Sequence, residues 1–372
     1  MSGGVDSSLA AALLVEQGFE VTGIYMKNWS QDLPGMKCPW AEDLADAKRV
    51  AVQLGIDFKV FDFEKEYKQN VVDYMVDEYK AGRTPNPDIM CNQEVKFKLF
   101  LEAALADGAD MIATGHYARV DNRLSQPTSS ETASRRTSLA YAAGEVRAAD
   151  VSESSSTNAR LMMARDANKD QTYFLYRVTS EALAKTLFPL GDHTKEQVRE
   201  MANERGLWTA SKKESMGVCF VGSVGMRDFL SQYVQTQPGD IIDKDSGKKL
   251  GRHDGAIFYT LGQRHGLDIG GGLPYYVVGK DMDKNKVYVS TNLNDSAMWR
   301  KELTLDHLHW INEPPKNDDK LFVRLRHRGK LLPCLLEENK LVLHETERAP
   351  TAGQSAVFYT GPTCIGGGIV LQ

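Results

Sequence analysis

Hydrophobic positions along this chain keep two different periods, and the change from one to the other divides it. Over residues 7–17 the large apolar residues Leu9, Leu13 and Leu14 share one face at helical spacing, and Gly18 stops the pattern. A short β-rich strand over 20–25 leads into Met26-Lys27-Asn28-Trp29. A second helix over 41–54 carries the stripe Leu44, Ala47, Ala51 and Leu54 and ends at Gly55. The pattern then predicts a strand over 58–63, a helix over 64–80 and an apolar strand over 109–114 ending in Gly115-His116-Tyr117. Strands alternating with helices imply a parallel sheet with right-handed crossovers. Ligands of such sheets sit at the carboxyl ends of the strands, where the loops at Ser2, Met26 and Gly115 would gather.

From residue 122 to about 158 Ser and Thr crowd the chain and large apolar residues are scarce, so a surface insertion without fixed structure is expected. Regular patterning resumes near Leu161, with Lys169-Asp170-Gln171-Thr172-Tyr173-Phe174-Leu175 opening a helix. Thr194 with Gln197 forms a capping-box pattern ahead of a helix running to about Arg205, stopped by Gly206. After Gly217-Val218-Cys219-Phe220 the period shortens. Residues 240–279 are glycine-rich, and 286–290, 320–325, 331–336, 340–343 and 355–359 read as short strands at barrel-like spacing. The predicted architecture is an α/β parallel-sheet domain over 1–222, a small β-rich central domain over 223–282 and a C-terminal β-barrel over 283–372.

Composition narrows this picture. The chain has 372 residues, 42% of them hydrophobic and 26% charged, as in globular proteins of two or three domains. A net charge of −5 supplies no global basic field, so any nucleic-acid contact must use local patches. Five cysteines without a C-x-x-C pair argue against a disulfide framework and for a reducing compartment, and give no support to a metal site. No apolar run approaches the roughly 20 residues of a membrane span. The strand that should precede the first loop is missing, which leads to the expectation of further residues upstream, including any targeting peptide.

The first eight residues, Met1, Ser2, Gly3, Gly4, Val5, Asp6, Ser7 and Ser8, place two glycines between hydroxyl residues just before a helix. Glycine lets the backbone turn at positive φ and approach a ligand closely. The helix N-terminus adds N–H groups and a positive dipole end, so the loop reads as an anion cradle. No lysine precedes Lys27, so it is not a Walker loop. The order S-G-G-x-D-S resembles the PP-loop of ATP pyrophosphatases, which split ATP into AMP and pyrophosphate while adenylating a substrate oxygen.

Two cysteines could do chemistry. Cys91 follows Arg83-Thr84-Pro85-Asn86-Pro87-Asp88, where the prolines are expected to forbid helix and stiffen an exposed loop, with Asp88 three residues before the thiol. The plainer alternative is a buried core cysteine. Cys219 is bracketed by Gly217 and Gly222, as a mobile sulfur carrier would be, and the same alternative applies. Cys38, Cys334 and Cys364 read as core. The densest basic stretch is Val323-Arg324-Leu325-Arg326-His327-Arg328-Gly329-Lys330. On a strand it would put Arg324, Arg326 and Arg328 on one face for phosphate contacts, or else form a solvated surface strand. Gln263-Arg264-His265 is a weaker stretch of the same kind. His116, beside Gly115, is either structural or in reach of a nucleotide or base.

Taken together, MSGGVDSS, MKNW, RTPNPDIMCNQEVKF, TGHYA, KDQTYFL, MGVCFVG, LGQRHGL and AGQSAVFY resemble the tRNA 2-thiouridylase family, a PP-loop family of adenine nucleotide α hydrolase-like, Rossmann-like fold. That resemblance implies ATP bound by Met1 to Ser8, Met26 and Gly115, with magnesium accompanying pyrophosphate and Asp6 the one ligand to suggest. It places Asn86, Pro87 and Asp88 at the target uracil. Lys169, Asp170, Gln171, Arg326, His327 and Gln354 would lie against tRNA. Cys219 would receive a persulfide sulfur from a donor or relay protein, with Cys91 the partner nucleophile. The reaction implied is adenylation of the wobble uridine C2 oxygen, sulfur transfer, and a Cys91–Cys219 disulfide left to be reduced. A monomer working in mitochondria is expected, with the bacterial cytoplasm as the alternative location. The competing activity is a small-molecule PP-loop ligase of the argininosuccinate synthase type.

Overall fold

The computed structural model describes residues 1–32, 38–122, 158–213, 225–270, 273–292, 294–295, 298–316, 319–348 and 350–371. Cys219 and most of the Ser/Thr-rich stretch lie outside these.

The α/β part opens with α1 (Val5–Glu16), buried along most of its length from Ser8 to Leu14 and followed by Gly18 at φ 84°. Strand β1 (Thr22–Lys27), helix α2 (Trp40–Leu54, with Gly55 as its left-handed cap at φ 67°) and β2 (Asp57–Asp62) follow. β1 and β2 pair in parallel, as do the two-residue strands β3 (Ile112–Ala113) and β6 (Thr186–Leu187). Between them in sequence, β4 (Arg119–Asp121) and β5 (Arg160–Met162) form an antiparallel pair flanking the Ser/Thr-rich stretch. The capping box at Thr194 forms as the sequence predicts. The Thr194 hydroxyl accepts from Gln197 N, the Gln197 side chain accepts from Thr194 N, and the helix Lys195–Glu204 ends before Gly206 at φ 58°.

The β part contains two sheets. A four-stranded central sheet has the order β8-β7-β10-β9, from β7 (Gly239–Asp243), β8 (Lys249–His253), β9 (Tyr276–Asp281) and β10 (Lys286–Ser290). The sequence reading placed 286–290 in the barrel. In the structure β10 lies between β7 and β9, with Val287 and Val289 buried in the central core, because spacing along the chain does not tell which sheet a strand joins. The barrel comprises β11 (Trp299–Trp310), β12 (Phe322–Arg324), β13 (Leu332–Glu337), β14 (Lys340–Arg348), β15 (Ser355–Thr360) and β16 (Thr363–Val370). Their order is β11-β14-β13-β12-β15-β16, and β11 pairs with β16 to close it, which leaves no open edge among these six.

One joint holds the α/β part to the barrel. β5 pairs with β16, so the β4–β5 hairpin extends the barrel sheet. The segment after Asp170 inserts polar side chains into β15. Tyr173 OH donates to Ser355 O at 3.0 Å, and the Thr172 and Tyr359 hydroxyls lie 3.1 Å apart. At the centre Arg324 Nη1 donates to Asp170 Oδ2 at 2.7 Å, with the two side chains 10% and 1% exposed, and the guanidinium sits over the Tyr359 ring. The remaining Asp170 oxygen accepts from Ala164 N. One apolar core runs through the joint, from Phe97, Ile112 and Leu161 to Val357, Tyr359 and Cys364.

Two predictions follow from this packing. Removing one partner of a buried ion pair strands the other charge, at about 3–5 kcal/mol. Arg324→Met should lower thermal stability sharply, and adding Asp170→Asn should recover part of the loss, as read by calorimetric unfolding of the three variants. The second prediction concerns pH. His116, packed between the Phe97 and Phe188 rings, is held well below the usual imidazole range by burial, and His253, His309 and His327 are lowered for the same reason. The unfolded chain therefore binds more protons than the folded one below about 6.5. Stability should be full above that pH and fall as pH drops through it, seen as a decrease in Tm from pH 7.5 to 5.5.

Candidate nucleotide and thiol site

The first loop is shaped by glycine at two close approaches. Gly3 has φ 71°, and a Cβ there would lie 2.5 Å from the Asp43 carbonyl oxygen of α2. Gly115, at the end of β3, would bring a Cβ within 2.8 Å of Ser7 N. Gly4 is the extended N-cap of α1 and provides no side-chain cap, so the first-turn N–H groups keep the outward orientation that helix geometry gives them. The hydroxyls brace the turn. Ser2 N donates to Ser7 Oγ at 3.1 Å, and Ser7 and Ser8 donate to the Gly4 carbonyl at 3.2 and 2.9 Å. The Met1 amine donates to the Ile24 carbonyl of β1. Met26 is the penultimate residue of the same strand, packed against the main core. The structure therefore brings Met1 to Ser8 and Gly115 together, and places Met26 on the strand beside them.

Asp6 is held from two sides. Tyr117 OH donates to its Oδ1 at 2.9 Å, and Lys195 Nζ donates to both oxygens at 2.7 and 2.9 Å. Sequence reasoning missed Lys195 and Tyr117, because they lie 189 and 111 residues from Asp6 in the chain. The missing loop lysine was the signal that a cation had to come from elsewhere. Among the described residues no group of three His, Cys, Asp or Glu side chains could cage a metal, and Asp6 is already engaged by Lys195. These residues do not fit a resident ion; magnesium arriving on a nucleotide would be held by its phosphates.

The segment around Cys91 corrects the sequence reading. Pro87 begins a helical turn, Pro87–Met90, with Asn86 as N-cap accepting from Asp88 N at 3.1 Å. The first helical position needs no N–H, so proline is favoured there rather than excluded. The helix continues through wider π turns, Cys91–Leu99. Cys91 is 5% exposed and lies in a core with Trp29, Cys38, Tyr67, Met75 and Phe229, so the buried alternative describes this conformation. Asp88 is on the outside of the turn, and desolvation raises its carboxyl above the usual range against the pull of Lys96. Cys219 lies outside the described residues. On the near side of 214–224, Lys212 Nζ bridges Asp43 and Asp46 at 2.8 and 2.6 Å, beside the Gly3 turn. On the far side, Phe229 and Leu230 are buried in the Cys91 core.

The residues expected at tRNA separate into two sets. Asp170 is 2% exposed, and its carboxylate is committed to Arg324, Thr172 and Ala164. It faces the domain joint instead of solvent. Gln171 is tied to Tyr117, accepting from Tyr117 N at 2.8 Å and donating its own N–H to Tyr117 O at 2.9 Å. Gln354 donates to the Thr84 carbonyl at 2.7 Å, clamping the loop that precedes Asn86. The basic stretch is not a one-faced strand: β12 ends at the buried Arg324, and the chain then turns, with Arg328 at φ 60°. Arg326 is exposed and donates to the Arg348 carbonyl, and His327 stacks on Phe174 at 4.5 Å. Lys169 and His116 are half-buried, the latter hydrogen-bonded to Thr114 at 2.8 Å.

Against known proteins, residues 1–223 match the family model described as tRNA methyl transferase HUP domain. Residues 227–291 match the tRNA methyl transferase PRC-barrel domain, and 300–370 the aminomethyltransferase beta-barrel domain. The chain is 43% identical over 386 residues to the tRNA-specific 2-thiouridylase MnmA of Bacillus subtilis. It is 44% identical over 377 residues to the proteins of that name from Bacillus thuringiensis and Bacillus anthracis, in each case covering 100% of this chain and 93% of the relative. These relatives are bacterial, which gives the expected mitochondrial location no support and fits the bacterial alternative. With all three regions matched and full-length identity above two-fifths, the chain belongs to the tRNA-specific 2-thiouridylase family.

Proposed function

We propose that this protein replaces the C2 oxygen of a tRNA wobble uridine with sulfur at the expense of ATP, in a bacterial cytoplasm. The observation that carries the reading is the intact loop of a chain that aligns along its whole length with a thiouridylase: a glycine turn, an N-terminus of α1 with no side-chain cap, and Gly115 pressed on Ser7 N. A uracil carbonyl is a poor electrophile with a very poor leaving group, so activation must come first. The uridine oxygen attacks the α-phosphate of Mg-ATP, pyrophosphate leaves, and an O-adenylyl uridine forms. The first-turn N–H groups of α1 and its dipole favour the phosphates in both steps.

Sulfur arrives as a persulfide on Cys219, loaded by a donor or relay protein. Its terminal sulfur attacks C2 and AMP departs with the oxygen. Cys91 then attacks the inner sulfur, leaving the thiocarbonyl on uridine and a Cys91–Cys219 disulfide for an external thiol to reduce. Alternatively Cys91 attacks the persulfide first and frees the sulfide that displaces AMP; both routes end in the same disulfide. Asp88 is assigned the proton exchange with the uracil, a role that its raised carboxyl supports. Bringing the base to these groups requires flipping it out of the anticodon loop, at a few kcal/mol.

The test is incubation with tRNA transcripts, Mg-ATP and a sulfide or persulfide source, followed by nucleoside mass spectrometry. Thiouridine at the wobble position is expected, and with sulfur delivered as a persulfide it is lost in Cys91→Ser. Cys219→Ser should fail with a persulfide donor and retain activity with free sulfide only if the sulfide route operates. ATP cleavage driven by a small molecule without tRNA would sink the reading in favour of a metabolic ligase. Separately, Gly115→Ala should push Asp6 and Ser7 out of place and lower turnover on the order of 100-fold, with little change in tRNA binding by filter retention.

A further inference from the structure

Lys195 is built into place from several directions. It is the first residue of the helix Lys195–Glu204, whose start is fixed by the Thr194 capping box. Its backbone N–H donates to Asp166 Oδ2 at 3.0 Å, and its ammonium lies 5.6 Å from the centre of the Tyr117 ring. The helix packs against α1 through Val198 and Ala202. The side chain is 8% exposed and ends on both oxygens of Asp6, which is 33% exposed.

That end point matters for the loop. Asp6 sits in the first turn of α1, where a carboxylate favours the helix dipole but opposes a phosphate arriving at the same N-terminus. In a partly buried site such repulsion is screened far less than in water. We propose that Lys195 is a positioning residue of the nucleotide site: by pairing with Asp6 it cancels the loop's own negative charge and fixes the carboxylate, so that the α1 N-terminus accepts a polyphosphate. A lysine from a distant helix thus supplies, through Asp6, the positive charge that a Walker loop carries within itself. The inference rests on the reading that this loop binds ATP.

The experiment is equilibrium binding of Mg-ATP and of a non-hydrolysable ATP analogue to the full chain by titration calorimetry, with thermal unfolding of every variant alongside. Lys195→Met should weaken binding by at least about tenfold, and Lys195→Arg should restore most of it. The double variant Asp6→Asn with Lys195→Met should bind as Asp6→Asn alone does, since a neutral side chain leaves Lys195 nothing to offset. If Lys195→Met folds poorly, the double variant, which strands no buried charge, is read against the wild-type chain and should bind within about threefold of it, a larger loss counting against the proposal. Unchanged binding in Lys195→Met, or equal losses on removing Lys195 with and without the Asp6 carboxylate, would overturn the proposal. A wild-type chain that binds no nucleotide would instead overturn the reading beneath it.

Discussion

The arrangement depends on a single buried charge, the Asp170 carboxylate at the joint between the α/β part and the barrel. A carboxylate 1% exposed is tolerated only if its oxygens are satisfied, and here Arg324, Thr172 and Ala164 satisfy them. Each partner comes from a different stretch of chain, so satisfying Asp170 fixes the barrel strand β12, the helical turn Thr172–Leu175 and the segment after β5 relative to one another. Gln171, the next residue, exchanges hydrogen bonds with the backbone of Tyr117, whose hydroxyl reaches Asp6 in the first loop. A contiguous set of polar contacts therefore runs from the barrel wall to the N-terminus of α1. Rigid placement of the loop is a consequence of the domain joint, and neither part would hold its geometry if Asp170 were left unmatched.

What was legible in the sequence was what local chemistry decides. The stops at Gly18, Gly55 and Gly206 and the capping box at Thr194 are each settled within a few residues, and all appear where predicted. The two glycines of the first loop were legible for the same reason, since a tight turn at a helix start asks for them whatever packs around it. Pro87 was misread because the same residue excludes a helix interior and favours a helix start, and only the position of the first turn tells which rule applies. β10 was assigned to the wrong sheet because strand pairing is non-local. Lys195 was missed altogether: nothing within its own helix marks it as the partner of a carboxylate 189 residues away.

Cys91 shows how a motif and a conformation can point in different directions. The residues before it form a defined turn, with Asn86 capping and Gln354 holding Thr84 from the barrel side, so its backbone is placed by two domains. Its sulfur nevertheless lies in an apolar core with Trp29, Tyr67 and Phe229. A buried thiol is protected from solvent and adventitious oxidants. Phe229, part of that core, belongs to the helix Met226–Leu230, whose first residue follows Cys219 by seven positions in the sequence.

The basic stretch Arg324 to Lys330 carries a related lesson about nucleic-acid recognition by a chain of net charge −5. Counting cations along the sequence overstates the field they make, because the fold matches several of them internally. Arg324 is buried against Asp170, Lys330 lies 3.0 Å from Glu347, and Lys195 is paired with Asp6. Arg326 and Arg328 are exposed, but they follow the end of β12 on a turn, so the strand alternation that would set them on one face does not apply. The basic residues of this stretch therefore form no continuous electrostatic track of the kind that follows a phosphate backbone. The joint at Asp170 bears on this surface, since the buried pair with Arg324 and the pairing of β5 with β16 tie the α/β part to the barrel and so fix the surfaces of the two against each other.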